Sequence, residues 1–497
     1  MRFSVYAPLV KIIRSPYESG TMKQLLSASI VQAFRQFGDC CLPNLHSLFW
    51  MNYRTSQRAR DLVLPFLGSS LREIVLESSH CRPLHDELAD PAVDTQEAIM
   101  ETNVLEMLAH IQQSCPLLRT FTFCIAGSRF YAARALSDSV CGWSQLQNYQ
   151  TPYISISPDA LKHLASLPSL HTLNALIETP FDSLDDHLIP SWYNISPGFL
   201  HLRSLVAITA RAAVCINLLD AIQSCTLNHI KLVVSRHTPS AEIGNLCVAL
   251  GRHPSSAVIA NLSIRFDSSL NICVEPRQGA SKPQRYALPR FPTRRVHSSL
   301  PSSALSPLCY LKSLQNVYLL GFCFASLDDP TAAQMAMAWP QLRVADLCHD
   351  STNSALTLAG LAPFAQCEHL EYLSVPLCDV DEQAVAAAMA LKPGKLFTPS
   401  LEVGGRCPLM VLNVSRGWIR EESTVGATAA LSAWFPELHM VTYEGSIGRG
   451  RVSSVGHNPL EAVQCRWNAV GYGISFWVKI REQEQRWHSR RKLASQG

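Results

Sequence analysis

The sequence is poor in charge and has no long apolar run. Asp, Glu, Lys and Arg make up 16% of its 497 residues, against 47% hydrophobic residues. That balance argues against general disorder and supplies enough apolar material for a large core. No uninterrupted apolar stretch approaches the roughly 20 residues needed to cross a bilayer, so no membrane partner is expected. The opening MRFSVYAPLVKII is apolar only from Phe3 to Val10 before Lys11 interrupts it. No small-residue cleavage site follows, which argues against a secretory leader and for an intracellular, cytoplasmic or nuclear protein. The net charge of +3 gives no ground for a nucleic-acid partner.

Catalytic signatures are missing as well. There is no Gly-x-Ser-x-Gly elbow and no His-Glu-x-x-His helix. EGSIGRGR, at residues 444–451, offers three glycines but lacks the spacing and the terminal Lys-Ser/Thr of a phosphate-binding loop. It reads as a turn. Paired acids such as Asp185-Asp186 and Glu421-Glu422 read as exposed polar positions. The Asn-x-Ser sequons at Asn194, Asn261 and Asn413 read as chance matches. The 17 cysteines include no C-x-x-C pair, which weakens a zinc reading. His80-Cys81 and Cys348-His349 do not recur at ligand spacing. Cys115, Cys367, Cys348 and Cys378 stand where small apolar residues are wanted, as in a reducing compartment. The expectation is therefore no enzyme, no cofactor and no metal.

What the sequence does contain is one recurring phrase. QSCPLLRTFTFC, ASLPSLHTLNAL, MAWPQLRVADLC and AWFPELHMVTYE each run from a helix-like segment, through a proline, into Leu-x-x-φ-x-φ, where φ is apolar. Proline cannot continue a helix and biases its predecessor toward extended geometry. The alternation after it fits a short strand with one buried face. Ahead of the proline, Leu161, Leu164 and Leu167 mark a helical face opened by Ser157 as N-cap and Pro158 at the first helical position. Asp329 with Pro330, and Ser423, repeat the device. TNSALTLAGLAPFAQC is helix-like, although Pro363 must break or kink it, and DVDEQAVAAAMAL is a further helix.

The strand phrase starts at Leu45, Leu71, Leu118, Leu170, Leu202, Leu227, Ile259, Leu314, Leu342, Leu370, Leu409 and Leu438. Leu314, Leu342 and Leu370 are 28 residues apart. WSQLQNYQTPYISI, in the gap before Leu170, is a weak further candidate. Such spacing is the signature of leucine-rich repeats, in which single units cannot bury their apolar face but stacked ones can. The predicted fold is thus α/β: a leucine-rich-repeat solenoid, or horseshoe, with a parallel concave sheet, outer helices and irregular repeats. The irregularity shows at the ninth repeat position, usually Asn or Cys. Cys378 fits, whereas Ala126, Glu178, Ala210, Asp350, Gly417 and Ser446 do not, so other side chains or water must replace the usual ladder.

Three segments divide the chain. Residues 1–41 read as a lead-in or capping segment, 42–446 as the solenoid, and 447–497 as a C-terminal cap and basic tail. Within the solenoid, residues 275–307 are rich in Pro, Ser and Arg and have no period. They read as a flexible basic insertion outside the stacked core, with docking of an acidic partner or RNA as the alternative. In the tail, Trp467, Phe476, Trp477 and Val478 are expected to cover the last repeat. Arg486, Arg490, Arg491 and Lys492 read as a solvated helix end, with a nuclear-import signal as the alternative.

The phrases LLGFCFASLDDPTAAQMAMAWPQLRVADLC and STNSALTLAGLAPFAQCEHLEYLSVPL resemble the leucine-rich-repeat region of basidiomycete fungal F-box proteins. LPNLHSLFW, LGSSLREIVL and LPSLHTLNAL fit the same pattern, and the likeness covers roughly residues 42–443. The resemblance implies a protein-binding role in ubiquitin-ligase substrate recognition, with repeats selecting substrate and an F-box docking the cullin-ligase adaptor. The first forty residues lack the Leu-Pro-x-Glu opening of an F-box, so an adaptor is implied only if an F-box is supplied elsewhere. The alternative is a stand-alone interaction protein. On either reading a protein partner meets the concave strand face, where alternation places Glu73, Thr122, Asn174, Lys231, Tyr318, Asp346, Ser374, Asn413 and Thr442.

Overall fold

The computed structural model describes residues 7–14, 41–50, 63–77, 92–124, 131–177, 197–209, 211–235, 238–267, 300–321, 327–347, 354–391, 407–415, 417–443 and 459–494. Fourteen strands follow chain order through the sheet, and every pair with a defined register is parallel. They are β1 (Ile12–Arg14), β2 (Ser47–Trp50), β3 (Glu73–Glu77), β4 (Thr120–Cys124), β5 (Asn148–Ser155), β6 (Thr172–Ile177), β7 (Ser204–Thr209), β8 (His229–Ser235), β9 (Asn261–Asp267), β10 (Asn316–Leu320), β11 (Val344–Leu347), β12 (Tyr372–Pro376), β13 (Val411–Ser415) and β14 (Met440–Thr442). Helices or 3₁₀ turns separate most of them. Parallel neighbours joined by right-handed crossovers put their connections on one side of a sheet. The protein is an α/β leucine-rich-repeat solenoid.

Two compact units divide the chain. The first is Met1–Leu227 with Leu232–Ser235 and Ser268–Glu275, and it carries β1–β7. The second is Asn228–Lys231, Arg236–Asp267 and Pro276–Gly497, and it carries β9–β14. The boundary runs through β8.

All twelve leucine or isoleucine starts are buried, none more than 1% exposed. Inward strand positions follow the same rule. Leu118, Phe121 and Phe123 are fully buried, and the Phe121 ring lies 4.8 Å from that of Trp143 and 5.9 Å from that of Phe123. Two strands lie outside the twelve. β5 is the weak candidate, now resolved. Its Pro152 supplies no N–H, and the register with β6 shifts between Thr151 and Ser155. β1 extends the sheet into residues 1–41, pairing Ile12 with Ser47.

The ladder between repeats is built largely from serine. Ser169 Oγ donates to the Leu146 carbonyl at 2.9 Å, Ser224 Oγ to Leu202 at 2.7 Å and Ser313 Oγ to Ala257 at 2.5 Å. Ser70 meets the Pro43 carbonyl in the same way. Ser70, Ser169 and Ser313 each stand just before the first Leu of a strand phrase. Trp339 Nε1, 3.2 Å from the Leu308 carbonyl, and Cys367 Sγ, 3.7 Å from that of Ala336, extend the set. Each such bond contributes about 0.5–1.5 kcal/mol and keeps a turn carbonyl from being orphaned. Of the ninth-position residues, Ala126, Glu178, Ala210, Asp350 and Ser446 lie outside the described residues.

The caps agree in part with expectation. Ser157 caps the helix Pro158–Ser166, its hydroxyl accepting from Ala160 N–H at 3.3 Å. At the next device the cap is Asp328 rather than Asp329. Asp328 accepts from Thr331 N–H at 3.0 Å, while Asp329 accepts from Thr357 N–H and Oγ1 at 2.7 and 2.6 Å. Ser423 is already helical (φ −83°, ψ −12°), and its side chain makes no cap bond. Asp381 caps Glu382–Ala390, accepting from Ala384 N–H at 2.8 Å.

Burial disfavours the charged form of Asp328, but bonds from the Thr331 side chain and backbone and from Ser302 outweigh it and lower its pKa below 3.8. A depressed carboxylate pKa means stability that is present above the unfolded pKa and lost as pH falls through the folded one. Asp328→Ala should therefore cost about 0.5–2 kcal/mol at neutral pH. Asp328→Asn should keep most of that stability and flatten the loss below pH 3.8, read by denaturant titration at several pH values.

Two of the longer connections, Ser302–Tyr310 and Ala359–Gln366, are 3₁₀ rather than α. In Ser302–Tyr310 and its C-cap, the buried Leu305, Leu308 and Leu311 recur every three residues. Leu358, Leu361, Phe364 and Cys367 do the same around Ala359–Gln366. Three residues per turn aligns such side chains on one line. This corrects the reading of residues 275–307 as lying wholly outside the core. Leu300 and Leu305 are 1% and 0% exposed, and Ser302–Tyr310 packs on the helices Ser240–Arg252 and Asp329–Ala338. Residues 275–299 lie outside the described residues.

The C-terminal helix Pro459–Ala494 packs on the helix Thr424–Trp434 and on β14. Val463, Trp467, Val470 and Ile474 form its fully buried face, and Trp467 Nε1 donates to the Gly417 carbonyl at 2.7 Å. Phe476 and Trp477, expected in the cap, are instead 63% and 37% exposed. At 100° per residue Phe476 turns away from the Trp467–Ile474 face, while Trp477 falls at its margin. Val478 is half-buried. No helix among the described residues is long and apolar enough to cross a membrane.

Candidate functional site

Alternation leaves one sheet face opposite the buried repeat leucines, and register aligns its side chains in rungs. In the second unit one rung reads Ser263, Tyr318, Asp346, Ser374, Asn413 and Thr442, each in register with the next. Five of the nine expected contact residues therefore share a single row. In the first unit Thr122 and Asn174 share a rung with Val75 and Gln150, while Glu73 stands in register with Thr120, two residues earlier on the strands. Lys231 lies on β8.

Exposure separates these residues. Lys231 is exposed and Tyr318 is 36% exposed, while Glu73, Asn174, Asp346 and Thr442 are half-buried. Thr122, Ser374 and Asn413 are 4%, 0% and 3% exposed and present almost no surface. These three are withdrawn as contacts. Each is a short side chain in mid-rung: Thr122 lies between Val75 and Gln150, and Ser374 between Asp346 and Asn413. Neither Ser374 Oγ nor Asn413 Oδ1 has a hydrogen-bond partner among the described residues, and each such buried orphan costs about 1–3 kcal/mol.

Around Lys231 the field is positive. His229, two residues earlier on the same face, has its pKa lowered first by burial and then by the Lys231 charge, which favours a neutral imidazole. Asp346 supplies the opposite sign in the rung beside Tyr318. The result is an aromatic anchor with a hydroxyl, an acid beside it and a cation on β8, all held by strand backbone. Alternation located these groups but could not reveal which outward side chains are shaded.

Among the described residues, no group of three His, Cys, Asp or Glu side chains could hold a metal. The cysteines with the largest shifts are buried, and burial pushes the thiols of Cys215, Cys247 and Cys367 up to about 12 and that of Cys407 to about 11. Cys378 is half-buried with a raised pKa, from burial first and then from Asp329 and Asp379. Glu421 and Glu422 are exposed. His80, Cys81, Asp185, Asp186, Asn194, Cys348, His349 and residues 444–451 lie outside the described residues.

No protein-family model matches the chain, and no curated protein does. Among solved structures it is similar to one described as the Rad7 and Elc1 complex in yeast, at 13% identity and a TM-score of 0.40, covering 77% of this chain and 72% of that one. It is also similar to the leucine-rich repeat-containing protein LegL7 from Legionella pneumophila, at 10% identity and a TM-score of 0.28, covering 93% and 97%. A third is an internalin, inlF, from Listeria monocytogenes, at 13% identity and a TM-score of 0.29, covering 84% and 88%.

Proposed function

We propose that the protein is a non-catalytic recognition scaffold whose open sheet face binds a protein partner. The observation that carries this reading is the Tyr318–Asp346 pair in one rung, exposed and half-exposed on adjacent parallel strands. Strand backbone fixes both side chains, so binding loses little freedom in ordering them. Tyr318 combines apolar area with a hydroxyl and suits an anchor. Lys231 and Asp346 suit partner choice and association rate.

The finer proposal is substrate recognition for an F-box-type ubiquitin ligase, supported by the likeness of the repeat phrases to basidiomycete F-box proteins. Co-purification of adaptor and cullin with the full chain would favour it. Their absence would favour a stand-alone scaffold.

The face itself is tested with Tyr318→Ala/Lys231→Ala/Asp346→Ala. A partner recovered from cells should bind this variant at least about tenfold more weakly, with the melting temperature nearly unchanged. Charge reversal on the helices, at Lys162, Arg252 and Glu382, should do much less. Full binding by the first variant with loss in the second would move the site to the helix side.

A further inference from the structure

A second row runs along the N-terminal edge of the strands in the first unit. The carbonyl of Lys11 accepts from His46 N–H at 2.8 Å, that of His46 from Arg72 at 2.8 Å, and that of Arg72 from Arg119 at 2.7 Å. The carbonyl of Arg119 accepts from Gln147 at 2.7 Å, that of Gln147 from His171 at 2.7 Å, and that of His171 from Arg203 at 2.8 Å. These seven residues are therefore direct neighbours in one line. Four carry permanent positive charge, two are histidines and none is acidic. Lys11, His46, Arg119 and Arg203 are exposed, and Arg72, Gln147 and His171 are half-buried.

Of the residues directly before and after these seven, one is acidic: Glu73, half-buried on β3 after Arg72. The turns leading into it, residues 7–10, 43–45, 68–71, 115–118, 142–146, 167–170 and 198–202, contain no Asp or Glu. None of the four cations forms an ion pair among the described residues. Arg72 Nη1 instead donates to the carbonyls of Ser69 and Leu71 at 2.9 and 3.2 Å. The same position in the second unit provides a comparison. There the row reads Asn228, Ala260, Gln315, Arg343, Glu371, Met410 and His439, and its one arginine pairs with Glu371 at 2.7 Å. The fold does not demand cations at this position, so the first unit's charge is a property of its own sequence.

We propose that this edge docks an acidic peptide segment of a protein partner. Six strand steps of about 4.8 Å give a row about 29 Å long, the reach of roughly nine extended residues. Exposed apolar side chains flank both ends: Leu9 and Ile12 beside Lys11 are 71% and 53% exposed, and Leu200 near Arg203 is 53% exposed. Such groups suit peptide side chains and offer phosphates nothing. Single-stranded nucleic acid favours exposed aromatic platforms on which bases stack, but Trp143 and Phe199 in these turns are fully buried, which leaves the His46 imidazole as the one exposed ring of the line. This row shares no residue with the open-face site around Tyr318.

The test uses the full chain and a labelled oligoglutamate of about twelve residues, followed by fluorescence anisotropy at low salt. Oligoglutamine, single-stranded DNA and duplex DNA of similar length serve as comparisons. Binding should be confined to oligoglutamate and should weaken as salt rises. Arg72→Gln/Arg119→Gln/Arg203→Gln should lower affinity at least about tenfold, whereas Arg134→Gln/Arg252→Gln/Lys312→Gln, with the same charge removed elsewhere, should change it by less than about twofold. Arg119→Glu alone gives a second reading should the triple variant unfold. The Tyr318→Ala/Lys231→Ala/Asp346→Ala variant should bind oligoglutamate as wild type does, which keeps failure of the open-face proposal distinguishable from failure of this one. Absence of oligoglutamate binding, equal loss in both triple variants, or tighter binding of either DNA would overturn the proposal.

Discussion

Phe121→Ala is expected to lower the unfolding free energy by about 3–5 kcal/mol, read from urea denaturation of the full chain. Phe121 is fully buried at the centre of an aromatic cluster, with the Trp143, Phe123 and Tyr149 rings at 4.8, 5.9 and 6.3 Å. Such pairs contribute about 0.5–1.5 kcal/mol each beyond burial. Removing one ring empties volume that three partners share, and stiff parallel strands cannot collapse to fill it. Phe121→Leu, which keeps most of the volume, should cost clearly less, about 1–2 kcal/mol. If the two variants lost the same small amount, the cluster would not be packed as described.

The second large effect lies at the C-terminal end. Trp467→Ala should also cost about 3–5 kcal/mol. It removes the largest side chain on the buried face of Pro459–Ala494 and leaves the Gly417 carbonyl without the indole donor. Trp467→Phe is the milder change. It keeps an aromatic ring but loses the hydrogen bond and part of the indole volume, so its cost should be smaller, about 1–3 kcal/mol. Ending the chain before residue 459 should go further. Val441 on β14 loses its neighbours on that helix, and the exposed strand edge becomes available for pairing with other chains. Size-exclusion chromatography with light scattering should then show self-association. A monodisperse monomer would mean that the helix is dispensable as a cap.

Much of the solenoid is legible in the sequence because a buried leucine at fixed phase is a strong local signal. Each of the twelve starts, from Leu45 to Leu438, is buried. What was less legible involved either a different period or longer-range shading. Leu305, Leu308 and Leu311 recur every three residues, which helical spacing does not recognise, so part of the core lay hidden in a Pro-Ser-Arg stretch. Pro152 breaks the alternation that would have marked β5 clearly. The cap moved by one residue because Asp328 and Asp329 are adjacent and equally able to accept, and only the path to Thr357 assigns Asp329 elsewhere. On the open face, alternation gave the side of the sheet for Thr122, Ser374 and Asn413 but not their depth. The cationic line was in the sequence all along, one residue after Val10 and then after Leu45, Leu71, Leu118, Leu146, Leu170 and Leu202. It became a line only when the carbonyl bonds placed Lys11 and Arg203 on the same edge.

Chain-order pairing of the strands also bears on how the protein is made. Each strand finds its partner among residues already translated, so no pairing waits for a distant C-terminal segment. At about 5–20 residues per second a ribosome delivers a 28-residue repeat in roughly 1–6 seconds, far longer than local helix and hairpin events require. The sheet can therefore lengthen at the pace of synthesis, with its newest strand as the one growing edge. The helix Pro459–Ala494 follows β14 in the chain and packs on it, so the segment that covers this edge is made directly after the strand that exposes it.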